Sequence, residues 1–423
     1  MNKKEEKFDV AVIGGGPAGM LAAGRAGELG AKVVLIEKNS SLGRKLLITG
    51  KGRCNITQAE FDDKEFVKTL GKNGKFIFSS LAAFGPKEII EFFEKRKLKI
   101  KTERGGRVFP MSDKAQDVLD VLSKYLKENK VEILTGQEVL GFEVKDKKIK
   151  SIKFKNKNIL AKNIIIATGG KSYPATGATG DGYGWAKDLG HTIINPAPAL
   201  TPIKIKEDWV KDLQGLSLKN VQINIFQNNK KQDARFGEML FTHFGISGPI
   251  VLDVSKKIGE LLTEGEAEIQ IDLKPALDFS NLDQRLQRDF KDNIKKDFIN
   301  YLPELLPQKL INTLINLSGI DPRKKINFVT KEERKNLVKI LKGLKLTVTE
   351  VVGYNQAIIT SGGVSLKEID SKTMRSKIIG NLYFAGEIID LDGPTGGYNL
   401  QISWSTGYAA GSYAAKHRGV DKP

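Results

Sequence analysis

The chain has 423 residues, more than one hydrophobic core usually supports, so two or three domains are expected. At 40% hydrophobic and 28% charged residues with only 14 prolines, it is neither disordered nor fibrous, and its one cysteine, Cys54, excludes an intrachain disulfide, a CxxC redox pair and a zinc cluster. The net charge of +18 raises nucleic acid as a partner, but the lysines are interleaved with acids and apolar residues, as in KEFVKTLGKNGK and KDKKIKSIKFKNK; solvated faces that steer small anions are the expectation.

MNKKEEK leads straight into an apolar strand, and no apolar run reaches membrane-spanning length. No membrane contact, no metal site and a reducing, cytoplasmic location are expected. The strand, FDVAVI at residues 8–13, meets three glycines, and Gly14, Gly16 and Gly19 form GxGxxG. Pro17 to Leu29 reads as a helix with Ala18, Leu21, Ala22, Ala26 and Leu29 on its apolar side, ended by Gly30. A second strand, Lys32 to Ile36, closes on Glu37, 18 residues after the last glycine. In such a unit Gly14 makes the tight turn, Gly16 admits a pyrophosphate, Gly19 lets helix and strand pack closely, and Glu37 accepts from a ribose.

The next loop, SSLGRKLLITGKGRCNIT at residues 40–57, is long, glycine-rich and basic, with Arg44, Lys45, Lys51 and Arg53. A loop that runs along both pyrophosphate and flavin favours FAD over NAD. Helices are expected over Pro86–Lys97 and Ala115–Glu128, then short strands near Val131–Leu134, Glu138–Val144 and Ile149–Phe154. Ile164 to Ala167 returns as an apolar strand into Thr168, Gly169 and Gly170, where the carboxyl edge of the sheet meets a cofactor. Short alternating strands over 200–273 and Leu- and Lys-rich amphipathic helices over 279–340 follow. Strand Leu382–Ala385 then runs into Gly386 and Glu387, and Gly396, Gly397, Tyr398 and Asn399 precede a small-residue helix, Ile402–Ala415, which brings a second helix N-terminus to the cofactor.

The predicted fold class is therefore α/β: a discontinuous Rossmann-like FAD-binding domain (1–193 and 346–423), interrupted by a β-rich substrate domain (194–276 and 341–345) that carries a small helical subdomain (277–340). There is no second strand–GxGxxG–helix unit, so a nicotinamide donor binds transiently or not at all.

GRKLLITGKGRCN resembles the signature of the flavoproteins known as BaiN-like or aminoacetone-oxidase-like, FAD-dependent oxidoreductases of the two-dinucleotide-binding-domain type. Further matches are IIIATGGKSYPATGATGDGYGWAKDLGH (164–191), GEMLFTHFGISGP (237–249), TSGGVSLKEID (360–370) and LYFAGEIIDLDGPTGGYNLQ (382–401). Carried onto these motifs, the resemblance implies FAD contacts at Gly14, Gly16, Ala18, Gly19, Glu37, Lys38, Arg44, Lys45, Arg53, Cys54, Asn55, Val139, Ala167, Thr168, Gly169, Gly386, Glu387, Gly397, Tyr398, Asn399 and Leu400. Val139 contacts adenine through its backbone on this reading, Glu387 the ribityl or pyrophosphate region, and the Asn399 and Leu400 N–H groups the flavin's pyrimidine edge, where donors stabilise the reduced anion.

Proton donors are sought at Tyr398, His243 and Cys54. Each has a structural alternative: Tyr398 as a wall of the flavin, His243 as a hydrogen-bonded loop residue, Cys54 as a small buried hydrophobe; Tyr173 stands between packing and substrate contact. The resemblance implies an NAD(P)H-linked reductase of a conjugated C=C bond in a small or steroid-like substrate. Its other family name implies an oxidase of amines or aminoketones that uses O2, and the charge leaves an RNA-associated flavoprotein as a third class. Monomer and homo-oligomer both stay open.

Overall fold

A computed structural model describes residues 7–417. The Lys-rich start and the last six positions of the expected FAD domain lie outside the described residues. The chain divides into two compact units, one formed by residues up to Pro198 together with those from Ala357, the other by Ala199–Gln356.

The first unit is built on a twisted sheet. Its order runs Glu132–Leu134, Val33–Ile36, Lys7–Ile13, Asn158–Ile166, then the antiparallel pair Lys148–Lys153 and Gly141–Lys145, with Leu382–Phe384 also beside Asn158–Ile166. The inner strands are apolar on both faces, KFDVAVI and VVLI, as parallel strands covered on both sides must be. The register aligns their ends. Leu134, Ile36, Ile13, Ile166 and Phe384 form one row across the carboxyl edge. Glu37, Gly14, Ala167 and Ala385 each follow a member of that row, so sheet register alone gathers them at one rim.

Two helices with small residues at their contact cover one face. A Cβ on Gly407 would lie 2.5 Å from the Ala18 carbonyl oxygen, and one on Gly411 2.3 Å from that of Ala22. Helix Tyr398–Lys416 therefore approaches Pro17–Glu28 at backbone distance. A small antiparallel sheet, Thr57–Gln58, Arg107–Pro110 and Ile100–Glu103, adjoins the loop that follows the second strand.

The second unit is a closed antiparallel barrel in the order Ile203–Ile205, Gly245–Ser247, Lys230–Thr242, Ser217–Gln227, Glu268–Asp272 and Leu344–Val351, the last pairing back to the first. Closure removes exposed strand edges. Helices Phe279–Asp292, Ile311–Ser318 and Lys331–Lys342 bury Leu286, Leu314 and Leu337 in the same core as Ile223, Ile271 and Leu346. The region expected as a separate helical subdomain thus shares the barrel's core. The return to the first unit falls at 356/357 and not at 346, because Leu344–Val351 is the strand that closes the barrel. Among the described residues no helix is long and apolar enough to cross a membrane.

Candidate functional site

The rim of the first unit's sheet carries a groove with about 430 Å³ of empty space, lined among others by Gly14, Glu37, Val139, Thr168, Asp181 and Trp185. Gly14 has φ +107, and a Cβ there would sit 2.4 Å from the Ala167 carbonyl oxygen; one on Gly19 would sit 1.8 Å from that of Gly14. Those two positions admit only glycine. Gly16 differs: a Cβ there meets nothing within 4 Å, so the backbone at the start of helix Pro17–Glu28 faces open space. The unpaired N–H groups of that first turn suit an anion.

Glu37 is held from three sides. Its Oε2 accepts the Gly15 N–H at 2.7 Å, and its Oε1 accepts the Asn39 backbone N–H at 2.8 Å and side-chain Nδ2–H at 2.7 Å. With two lone pairs per oxygen, Oε2 keeps one acceptor position for a ligand hydroxyl. Lys38 is engaged by Asp181 at 2.6 Å and by Thr179, and exposed Arg44 donates to Asn39 Oδ1 at 2.9 Å. Val139 lies between strands Glu132–Leu134 and Gly141–Lys145, outside both, which leaves its backbone unladdered at the groove.

Farther along the rim, Lys45 Nζ donates to both oxygens of Glu387, at 3.0 and 2.7 Å, with the two side chains 22% and 19% exposed. Glu387 Oε1 also accepts the Thr360 N–H at 2.8 Å, while Thr360 Oγ1 accepts from the Lys171 and Ser172 N–H groups at 2.7 and 3.1 Å. Sequence reasoning missed Thr360 and Lys171; their only signal was membership of TSGGV and KSYPATG. Gly386, at φ +78, places its Cβ position 2.8 Å from that of Ala18, so only a glycine lets this strand end meet the first helix.

Gly397, at φ +105, precedes helix Tyr398–Lys416, and a Cβ there would meet the Thr57 carbonyl carbon at 2.4 Å. Asn399 and Leu400 lie in the helix's first turn, where N–H groups have no helical acceptor. The Asn399 side chain turns away, bonded to Gly393 and Pro394. Tyr398 packs its ring 4.9 Å from that of Phe66.

Two expectations change, for Cys54 and Arg53, while His243 falls in the β-rich unit to which its sequence position assigns it. Cys54 is fully buried, accepts left-handed φ +59, and burial pushes its thiol to about 12; a thiol so placed is neither nucleophile nor acid near neutral pH. The Arg53 guanidinium is taken up by Glu103 and by Asp113 at 2.7 Å, and stacks 4.0 Å over Phe109. Those pairings, the Glu103 hydrogen bond foremost, raise its pKa and turn its Nε and Nη2 groups toward the two carboxylates. His243 belongs to the second unit, exposed on the tight turn between Lys230–Thr242 and Gly245–Ser247, its ring against Phe244. The first unit's residues do not include it. Tyr173 stands at the head of the Pro174–Thr176 turn with φ +56, half-buried.

The groove fits FAD. Thr168 Oγ1, a hydroxyl that can donate or accept, and Asn55 Oδ1, an acceptor, are buried without a protein partner, as groups that a bound nucleotide satisfies would be, and Gly16 leaves the room a pyrophosphate needs. Among the described residues no group of three or more His, Cys, Asp or Glu is placed to hold a metal ion.

Comparison with known proteins agrees with this geometry. The family model described as HI0933-like protein Rossmann domain matches residues 8–413. A 3-dehydro-bile acid delta(4,6)-reductase of Clostridium scindens is 32% identical over 96% of this chain and 99% of its own length. A ribosomal RNA dihydrouridine synthase of Haemophilus influenzae is also 32% identical, over 94% and 96%. Among solved structures, an open-conformation flavocytochrome c3 fumarate reductase covers 98% of this chain and 79% of its own, with 18% identity and a TM-score of 0.53, a likeness of fold.

Proposed function

As a member of the HI0933-like family the chain is an FAD-dependent oxidoreductase, and we propose that it reduces a conjugated carbon–carbon double bond, with NAD(P)H as the transient source of reducing equivalents. The observation that carries the reading is the end-to-end likeness to a bile-acid delta(4,6)-reductase in a chain whose rim residues fit the same cofactor. FAD, when bound, supplies the hydride.

The chain's own residues bind and orient. Glu37 holds the adenosine ribose through the free acceptor position on Oε2, the first turn of Pro17–Glu28 neutralises the pyrophosphate, and the Lys45–Glu387 pair fixes the region between pyrophosphate and ribityl chain. The Asn399 and Leu400 N–H groups donate to the pyrimidine edge. Tyr398 is the proton donor of this reading, since Cys54 holds its proton too tightly.

A second substrate is favoured by the likeness to a ribosomal RNA dihydrouridine synthase. Dihydrouridine is uridine with its C5=C6 bond saturated, a bond conjugated to the C4 carbonyl as an enone is. One hydride chemistry therefore serves both named relatives. A net charge of +18 is compatible with a uracil carried in RNA.

The test is anaerobic stopped-flow absorbance at the flavin band with NADH and with NADPH, followed by mixing the reduced protein with a 3-oxo-delta(4)-steroid or with uridine-containing RNA. Bleaching by a nicotinamide and recovery by one of the alkenes is expected. Bleaching by an aminoketone alone, with peroxide formed in air, would overturn the reading in favour of an amine oxidase.

A further inference from the structure

At the opposite edge of the same sheet the first unit has a second, wider concavity, with about 1040 Å³ of empty space. Leu382–Phe384 begins here and ends at the cofactor rim, so one strand connects the floors of the two sites. Lys147, Lys148, Arg375 and Lys377 line it together with the acids Asp146 and Asp370; Lys148 is already engaged within the protein, and Lys377 Nζ donates to the Lys367 carbonyl at 2.9 Å. Asp370 is partly spent within the protein, since its Oδ1 accepts the N–H groups of Lys372 and Thr373 and the Thr373 hydroxyl.

The backbone that carries these residues is tied down, and Arg375 is held by its side chain. The Gly380 N–H donates to the Lys147 carbonyl at 2.8 Å, and the Gly380 carbonyl accepts from Arg375 Nε at 2.6 Å, which leaves the guanidinium's Nη groups without a protein acceptor among the described residues. Asn381 ties the floor down, its Oδ1 accepting the Ile149 N–H and its Nδ2 donating to the Ile149 and Lys162 carbonyls, each at 2.9 Å. Ser376 Oγ caps the neighbouring turn by accepting the Ile378 and Ile379 N–H groups. The turn Asp146–Lys147, both at positive φ, projects the first cation from a fixed hairpin end. A solvated face of independent lysines has no such scaffold.

We infer that this cleft binds consecutive phosphates of an RNA backbone, and so docks a polynucleotide substrate at a point remote from the flavin. The inference rests on the RNA form of the reading above and deepens it. Planar Arg375 suits a phosphate's paired oxygens, and the lysines supply point charges on either side.

The test uses the FAD-loaded protein and fluorescence anisotropy of a fluorescein-labelled single-stranded oligoribonucleotide of about 20 nucleotides. The double variant Lys147→Asn, Lys377→Gln removes two charges, with asparagine chosen because it tolerates positive φ. A control variant, Lys230→Gln, Lys231→Gln, removes two exposed charges from the hairpin of the other unit. The cleft variant should bind about tenfold more weakly at 0.1 M salt, with the slope of log affinity against log salt smaller by about 1.4, two phosphates at about 0.7 each; the control should move neither. Equal losses in both variants would mean a diffuse field and overturn the proposal, as would displacement of the probe by inorganic phosphate at concentrations too low to act through ionic strength. Nicotinamide bleaching of the same variants keeps the two readings apart. If the wild-type protein bleaches and reduces a steroid enone yet binds no RNA, the cleft proposal falls and the reductase reading stands.

Discussion

The two units of this chain are stabilised in different ways. The barrel unit buries an almost wholly apolar core, with Thr201, Gln227, Ser255, Asp272 and Thr313 as its buried polar side chains. The sheet unit buries many more, among them Glu37 and Ser172 in loops, Thr57 and Thr360 in short strands, and Gln401, Ser403, Ser405 and Thr406 on helix Tyr398–Lys416. Gln401 alone accepts from Thr57 Oγ1 and donates to the Phe84 carbonyl and Ser405 Oγ. Buried polar groups cost stability unless they are satisfied, so their concentration marks where a particular geometry is fixed, whereas the barrel needs only volume. Substitutions should therefore separate cofactor retention from folding in one unit and not in the other.

The largest effect is expected at the glycines. Gly19→Ala forces a Cβ to 1.8 Å from a carbonyl oxygen, so the variant should lose its FAD and at least about 3 kcal/mol of stability. Gly16→Ala meets nothing within 4 Å; its apoprotein should melt at the wild-type temperature while the purified protein lacks flavin absorbance, because the methyl group occupies the cofactor's space. A Gly16→Ala protein that retains a full complement of FAD would place the pyrophosphate elsewhere.

In the barrel, Ile223→Ala removes a fully buried side chain and should cost about 2–5 kcal/mol in urea melts. The ratio of FAD to protein in the folded fraction should not change. If it falls with stability, the separation of roles between the units is wrong. The reverse pattern is expected of Glu37→Gln, which weakens a charged acceptor and should reduce FAD affinity roughly 10- to 100-fold by fluorescence titration, the equivalent of about 1.5–3 kcal/mol. An unchanged affinity would remove Glu37 from the ribose.

What the sequence made legible follows the same division. The strand–glycine–helix–strand–acid run is local, and the register that lines Ile13, Ile36 and Ile166 along one rim follows from apolar strands of matched period. The last helix was readable from its small residues, but their pattern begins it at Ile402, whereas it starts at Tyr398, directly after Gly397. Pairings between distant segments were not: Lys45 meets Glu387 across 342 positions, and Arg53 leaves the flavin loop for Glu103 and Asp113, partners 50 and 60 residues away. No local pattern encodes them, since each depends on which loops the sheet brings together. Barrel closure was hidden for the same reason. Alternation announces a half-buried strand, but only the pairing of Ile203–Ile205 with Leu344–Val351, at the two ends of the unit, makes six strands a barrel.

Cys54 gives the smallest effect and the sharpest contrast between a motif and its role. The residue sits in the most distinctive stretch of the sequence, GKGRCN, yet its thiol is fully buried and pushed to about 12. Its proton is held in the folded state and released at about pH 8.5 in the unfolded chain. The native form thus binds more protons than the unfolded one between those values, so the stabilising contribution is complete below about pH 8.5 and is lost as pH rises toward 12. Cys54→Ala should turn over at the wild-type rate at pH 7.5, and between pH 8 and pH 10 the wild-type protein should lose at most about 2 kcal/mol more than the variant in paired urea melts. A tenfold fall in turnover, or fast alkylation of the native thiol at pH 7.5, would return Cys54 to the chemistry; parallel pH profiles would mean that the native thiol is less shielded than its burial indicates.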